Sequence, residues 1–228
     1  MRTGGRTATF SHEDVVAAGV RIGLHELTVQ AVAEALGVTP TAVYRHVPSR
    51  AALETLVGEA ILNELTLHDD PERPTAAHLV AFGRQLRQFT LAHPGTAQYL
   101  QRLFPRGPSG VRLLETQIRA LAGRGYAPAA ATVLSSAVAT VTIGIVAAEQ
   151  AQDAQARLDP PGTEENTREA LAAMAGSPLV RAATSGIPAH TADDYFELVL
   201  ASLAEGLVAK LPPGRDVAEL AATLREEH

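Results

Sequence analysis

The chain has 228 residues, 46% hydrophobic, 19% charged and 4% aromatic, with a formal net charge of −6 at pH 7. That length suffices for a small head and a larger body with its own core. Cysteine is absent, which excludes disulfides, iron–sulfur clusters and thiolate chemistry.

Residues 1–10 contain Arg2 and Arg6 around a Gly-Gly pair and no apolar run. They do not read as a signal peptide, and a cytoplasmic location is the default expectation. They read as a solvated tail or, alternatively, as an arm whose two Arg enter a minor groove. The acidic balance argues at first against a nucleic-acid partner, but it is unevenly spread. The first fifty residues carry five Arg against four carboxylates, a charge of +1, which leaves −7 for the rest. The basic signal is local, at Arg45, His46 and Arg50.

Ser11 with Asp14 forms a capping pair for a first helix that directs Val15, Val16, Val20 and Ile22 inward and stops at Gly23. Thr28 caps a second helix with Val32, Ala33 and Leu36 on one face, and Gly37 ends it. Ala33 and Gly37 are expected to let the next helix cross at close range. Val38 then enters the core, Thr39 caps a third helix, and Pro40 takes its first position, where a missing N–H costs nothing. Val43 and Val47 point inward and leave Thr39, Thr41, Ala42, Tyr44, Arg45 and His46 outside. A donor-rich surface without a carboxylate suits phosphates and base edges in a major groove. An ordinary helical hairpin with polar outer residues is the alternative.

From Ser49 a longer helix carries Leu53, Leu56, Val57, Ala60, Ile61 and Leu65 at spacings of three and four. Its start abuts the outer face of the third helix and its far end enters the body, so it is expected to act as a lever. Asp69-Asp70-Pro71-Glu72-Arg73-Pro74 breaks the chain before a helix over 75–92 with Leu79, Phe82, Leu86 and Phe89 inward. Shorter helices follow over 96–104 and 109–122. Residues 128–148 hold no charged side chain and are long enough to span a bilayer. Their Ala, Ser and Thr content, and the lack of flanking Lys or Arg, instead predict a helix buried on every side, one face lining a pocket and another packed against a partner subunit. Residues 150–162 read as a polar loop, followed by helices over 164–175 and 178–183. Thr191 with Asp194 caps a strong helix over 195–211 whose Phe196, Leu200, Leu203 and Leu207 form a stripe, widened by Leu198 and Val199. A short amphipathic helix after Asp216 closes the chain. There is no strand signal. The expected fold is all-α: a helix-turn-helix head over residues 1–49 and a helical-bundle body over 50–228.

Leu27-Thr28, Ala35-Leu36-Gly37-Val38, Tyr44-Arg45-His46-Val47 and Ser49-Arg50 followed by Ala-Ala-Leu resemble the N-terminal domain of tetracycline-repressor-type transcription regulators. Ser136-Ala137-Val138 with Thr142-Ile143-Gly144, then Ser177-Pro178-Leu179-Val180-Arg181, Phe196-Glu197-Leu198 and Glu205-Gly206-Leu207 are similar, more loosely, to the body of the tetracycline-binding members. The resemblance implies a homodimer held through 128–148 and 195–211, a double-stranded, pseudo-palindromic operator, and a small-molecule effector. It implies that Thr39, Pro40, Thr41 and Ala42 read base edges while Thr28, Tyr44, His46 and Arg50 grip phosphates, with Gln30 and Arg45 as further DNA-facing positions. The Pro stands one residue earlier than in the tetracycline-binding members, so individual base assignments do not transfer.

No phosphate-binding Gly loop, dinucleotide Gly pattern or His-Glu-x-x-His is present, and no catalytic group, metal or cofactor is expected. His78 and His93 either face a pocket or serve as capping or solvated side chains. The tetracycline-binding members hold their drug through a metal ion. Two positions of their binding His are occupied by Leu100 and Thr140, whereas a drug-contacting Gln is matched by Gln117. A pocket of Phe82, Leu86, Phe89, Leu100, Leu103, Leu114, Val133 and Ser136, anchored by Gln117 and Thr140, would suit an apolar or mixed small molecule; plain core is the alternative for each. The leading expectation is a repressor released from its operator by such an effector. An enzyme built on the body's pocket and a protein-interaction module are the alternatives.

Overall fold

The computed structural model describes residues 10–103, 107–188 and 191–226, all helices and connections with no strand among them. The arm with Arg2 and Arg6 lies outside the described residues. Helix α1 (His12–Ile22) starts where Ser11 and Asp14 cap each other: Ser11 N donates to the Asp14 carboxylate at 2.7 Å, and Asp14 N donates to Ser11 Oγ at 3.1 Å. Helix α2 (Val29–Leu36) starts at Thr28, whose Oγ1 accepts from Ala31 N at 2.9 Å. Helix α3 (Pro40–Tyr44) starts at Thr39, whose Oγ1 accepts from Ala42 N at 3.3 Å. Val43 and Val47 are buried with Val32 and Ala33 in one cluster.

Gly37 does not serve the close helix crossing expected of it. A Cβ there would meet nothing within 4 Å, and what the position requires is its left-handed backbone at φ +66°. The close approach in the head is made by Gly19 of α1, where a Cβ would collide with Val57. Val57 belongs to α4 (Arg50–Glu64), capped by Ser49 Oγ accepting from Ala52 N at 3.1 Å.

Two apolar clusters meet on α4. Leu53, Val57 and Ile61 join the head cluster, whereas Leu62 and, just past the helix end, Leu65 join the body cluster. The body comprises α5 (Thr75–Ala92), α6 (Thr96–Leu103), α7 (Pro108–Ala122), α8 (Pro128–Leu158) and α11 (Ala192–Lys210), with α8 packed against each of the other four. Between α8 and α11 lie α9 (Pro160–Gly176) and α10 (Pro178–Ser185), which contain no buried residue; α12 (Val217–Glu226) ends the described chain.

The polar loop expected over 150–162 is instead helical to Leu158, and the next helix begins at Pro160. Residues 150–158 are rich in Ala and Gln, good helix formers that overcome the segment's polarity, and Asp159 both ends α8 and caps α9. Within one subunit α8 is buried along one side only. Ala131, Leu134, Val138, Thr142 and Val146 are buried, but Val133 is 39% exposed and Thr140 is exposed as well.

Ion pairs lock the bundle. Arg87 of α5, only 7% exposed, donates to Glu149 of α8 at 2.6 Å and to Asp193 of α11 at 2.7 Å. Its guanidinium also covers the Phe196 ring at 4.6 Å. Arg84 makes a two-pronged pair with Glu197 at 2.7 and 2.6 Å. Head and body touch again at Gly95, where φ is +88° and a Cβ would lie 2.5 Å from His25 N and 2.9 Å from Leu24 C.

These two glycines give a graded expectation. Gly37→Ala should cost roughly 1–2 kcal/mol, the penalty of a left-handed L-residue in open space. Gly95→Ala should cost clearly more, since backbone rather than a mobile side chain opposes the added methyl. Urea unfolding of both variants checks this, and the reverse order would contradict the account.

Candidate functional site

On the head, Thr28, Gln30, Thr39, Thr41, Tyr44, Arg45 and Arg50 are exposed, while Pro40, Ala42 and His46 are half-buried. All ten lie away from the buried Val43 and Val47, and Tyr44, at 49% exposure, projects furthest from the core for an aromatic of the head. Thr28 and Thr39 use their hydroxyl oxygens as helix caps, which leaves each hydroxyl proton available to an acceptor such as a phosphate oxygen. His46 leans on Phe10, the residue just before the α1 cap, with ring centroids 4.5 Å apart. Arg50 is exposed but tethered: Nε donates to Glu54 Oε1 at 3.1 Å, and Glu54 also receives Arg102 at 3.3 Å. Its remaining N–H groups are free to point outward.

Beneath α4 the body holds a narrow, partly open cavity of about 60 Å³. Leu62 and Leu65 form its roof on the α4 side; Phe82 and Leu86 of α5, Leu100 of α6, and Gly110, Leu113, Leu114 and Gln117 of α7 line its sides. Ser135, Ser136, Ala139 and Ile143 of α8 close it, with Leu67 at one edge. Six of the ten expected residues thus converge: Phe82, Leu86, Leu100, Leu114, Gln117 and Ser136. Phe89 does not; it packs on both apolar clusters and against the His93 ring at 4.3 Å. Val133 and Thr140 are exposed: Ser136, three and four residues from them, is half-buried at the edge of the stripe that Ser135, Ala139 and Ile143 turn inward, and the helical period places these two just past that edge. The Leu103 side chain lies outside the described residues.

Ala139 and Ile143 could have been found from their spacing to Ser136. Leu62, Leu65 and Leu67 could not, since nothing local says that α4 ends over this cavity. His93 takes the capping role, with Nδ1 2.9 Å from Phe89 O. His78 does not face solvent. It is 3% exposed, with Nδ1 2.8 Å from Asp69 Oδ1 and Nε2 3.0 Å from Oε1 of the Gln117 carboxamide. Arg124 completes the row, donating to both Asp69 carboxylate oxygens at 2.8 and 3.1 Å and to the backbone oxygens of Asp70 and Arg73. The broken segment 69–74 is therefore a built loop, clamped to the end of α7. Its hydrogen bonds to Arg124 hold the Asp69 carboxyl below the usual carboxylate range, while burial first, then Arg124, holds His78 below its ordinary value.

The cavity is joined to α4 by α7. Arg112 donates to Leu65 O and Leu62 O at 3.1 Å each, which fastens α7 to carbonyls at the end of α4, where few backbone donors follow. One turn earlier, Glu59 accepts from Ser109 N at 2.9 Å and its backbone oxygen accepts from Ser109 Oγ at 3.0 Å. Among the described residues, no three His, Asp or Glu gather as a metal site.

Comparison with known proteins places this geometry. The family model of bacterial regulatory proteins of the tetR family matches residues 20–54, and that of the tetracyclin repressor-like C-terminal domain matches residues 69–211. The class A tetracycline repressor protein from transposon 1721 of Escherichia coli is 30% identical over 191 residues, covering 83% of this chain and 84% of the relative. The class G tetracycline repressor protein of Vibrio anguillarum is 31% identical over 158 residues, 66% of this chain and 75% of the relative. The crystal structure of the Streptomyces coelicolor TetR family protein ActR in complex with actinorhodin superposes with a TM-score of 0.74 at 21% identity, over 92% of this chain and all of that one.

The buried imidazole has a consequence for stability. Because the folded state holds His78 below its ordinary 6.5, the unfolded chain binds more protons as pH falls below that value. The contribution is complete above 6.5 and is lost as pH falls toward the folded value, at a slope of up to about 1.4 kcal/mol per pH unit. Urea midpoints over pH 5 to 7.5 should therefore decline more steeply toward acid in the native chain than in His78→Phe; parallel profiles would contradict this.

Proposed function

The chain belongs to the tetracycline-repressor family of ligand-responsive bacterial transcription repressors, and we propose how its two halves carry out that function. The observation that supports the reading best is that α4 is shared: its first turns support the DNA-facing helices, and its last turn roofs the cavity. In this reading α3 enters the major groove, with Thr39, Pro40, Thr41 and Ala42 toward base edges. Thr28, Tyr44, His46 and Arg50 hold phosphates, with Gln30 and Arg45 beside them. The regulator acts in the cytoplasm, and the effector is a small apolar or mixed molecule bound among Phe82, Leu86, Leu100, Leu114, Gln117 and Ser136. No catalytic step, metal or cofactor enters the reading.

Two heads must be held roughly 34–36 Å apart to meet successive major grooves of a pseudo-palindromic operator. The outward side of α8, with Val133, Thr140 and Gly144, and that of α11, with Tyr195, Leu198 and Gly206, are the surfaces proposed to meet their counterparts in a second copy. Tyr195 and Leu198 are 53% and 66% exposed, and a Cβ on Gly144 or Gly206 would meet nothing within this subunit, so another backbone can approach closely. Leu203, by contrast, packs on the body cluster, and Val199 is half-buried beside it; Leu198 is the position that faces out.

An effector larger than the narrow cavity must displace Leu62 and Leu65 or the α7 residues that Arg112 ties to them. It then binds better to a subunit whose α4 has shifted, and only that difference in affinity can release DNA. Moving the population from 1:99 to 99:1 takes about 5.5 kcal/mol, which two sites per dimer can share.

A labelled fragment from the protein's own upstream region should be retarded at nanomolar protein and released by high salt. Arg50→Ala should weaken all sequences alike and reduce the salt slope by about 1, whereas Thr41→Ala should change preference at one or two base pairs. The opposite pattern would mean that α3 docks differently, and failure on every such fragment would remove the proposed operator.

Leu198→Glu should give monomers with strongly weakened operator binding, read by sedimentation and gel retardation; a well-behaved dimer would locate the interface elsewhere.

A further inference from the structure

The polar row behind the cavity decides which end of the Gln117 carboxamide turns to His78 and which turns away. Asp69 is an anion, because two guanidinium nitrogens of Arg124 lie 2.8 and 3.1 Å from its oxygens. A carboxylate accepts hydrogen bonds and donates none, so His78 Nδ1, 2.8 Å away, must carry a proton. The imidazole is 3% exposed with a guanidinium nearby, and both press it toward its neutral form. A neutral imidazole has one N–H only. Nε2 is then a lone pair, and a carboxamide oxygen 3.0 Å from it would set two acceptors against each other. A half-turn of the carboxamide exchanges its two isosteric ends and lets the Gln117 N–H donate to Nε2 at the same separation. The carbonyl oxygen is left facing away from His78.

Gln117 is itself 3% exposed and is part of the cavity wall. The other polar groups there impose nothing comparable: the Ser135 hydroxyl donates to Ala131 O at 2.7 Å within its own helix, and the Ser136 hydroxyl rotates to suit either kind of partner. No charged side chain lines the cavity, so an ionised ligand would go uncompensated.

We propose that Arg124, Asp69 and His78 form a positioning relay that fixes the Gln117 carbonyl oxygen toward the cavity, which makes it a site for a neutral, largely apolar ligand carrying a hydroxyl or N–H donor. That such a ligand acts as effector rests on the regulator reading above; the orientation of Gln117 does not. His78 acts through Gln117 and touches no ligand.

Two measurements test the relay on the full chain. Nitrogen-15 NMR at neutral pH should find His78 as the Nδ1–H tautomer with an unprotonated Nε2. An imidazolium or an Nε2–H tautomer would overturn the proposal. Calorimetric titration with 1-naphthol and 1-methoxynaphthalene should favour the naphthol by about tenfold, the worth of one well-made neutral hydrogen bond. In Gln117→Leu the ratio should fall to within about threefold, the residue of a lost hydrogen bond. In His78→Phe it should fall as well, because a freed carboxamide can turn either end to the ligand; His78→Gln, which keeps a polar side chain, serves if the Phe variant does not fold.

Equal affinities in the native chain, an unchanged ratio in the His78 variants, or uptake of neither probe would each overturn the ligand class. Operator retardation on the same samples separates the two readings. A chain that binds operator without discriminating the probes loses the relay and keeps the regulator; one that discriminates the probes but binds no operator does the reverse.

Discussion

Everything in this subunit depends on α4 being buried by two cores at once. Ile61 and Leu62 are neighbours in sequence, yet the 100° step between them sends one into the head cluster and the other into the body cluster. Close-packed interiors do not deform gradually, so a displacement of the last turn must move the whole helix. Both flanks are fitted to it: Gly19 lets α1 lie against Val57, and Gly58 leaves just enough room for the Tyr99 ring of α6. Its ends are fixed too, by the Ser49 cap and by Arg112 on the carbonyls of Leu62 and Leu65. Such a helix transmits position, which is what a link between a ligand cavity and a DNA face requires.

The charge distribution follows the same division of labour. A net charge of −6 sits oddly with a DNA-binding family until the internal pairings are considered. Arg84, Arg87, Arg112 and Arg124 are all engaged within the body. Their task is geometry. The Arg87 pairing ties α5, α8 and α11 into one unit; its guanidinium is buried, but Asp193 is largely exposed and solvent screens that arm, so Glu149 holds the stronger end of the link. Among the described residues of the head the exposed Arg are Arg21, Arg45 and Arg50, so in the proposed docking hydrogen bonding from hydroxyls and backbone contributes much of the contact.

One subunit looks incomplete. Helices α9 and α10 contain no buried residue, and short helices rarely persist in water without tertiary packing. Exposed Leu158, Leu171, Leu179 and Ile187, together with the outward sides of α8 and α11, form more apolar surface than a lone chain needs. In the proposed dimer that surface is covered, which gives a purpose to the stretch 128–148 of α8, where no side chain is charged.

The amino-acid sequence by itself determined the head almost completely. Ser11 with Asp14, Thr28, Thr39 and Ser49 start helices at the positions where capping chemistry puts them, and Val43 and Val47 turn inward, because these are interactions between residues three or four apart. The same holds for the cap at Thr191 and for the convergence of Phe82 and Leu86. Tertiary structure alone decided the rest. Whether Val133 or Ala139, on one uncharged stretch of α8, faces a cavity depends on which neighbours surround it. The role of His78 was out of reach for the same reason: Asp69, Gln117 and Arg124 are brought to it from nine, thirty-nine and forty-six residues away, and a partner that distant leaves no periodicity in the chain.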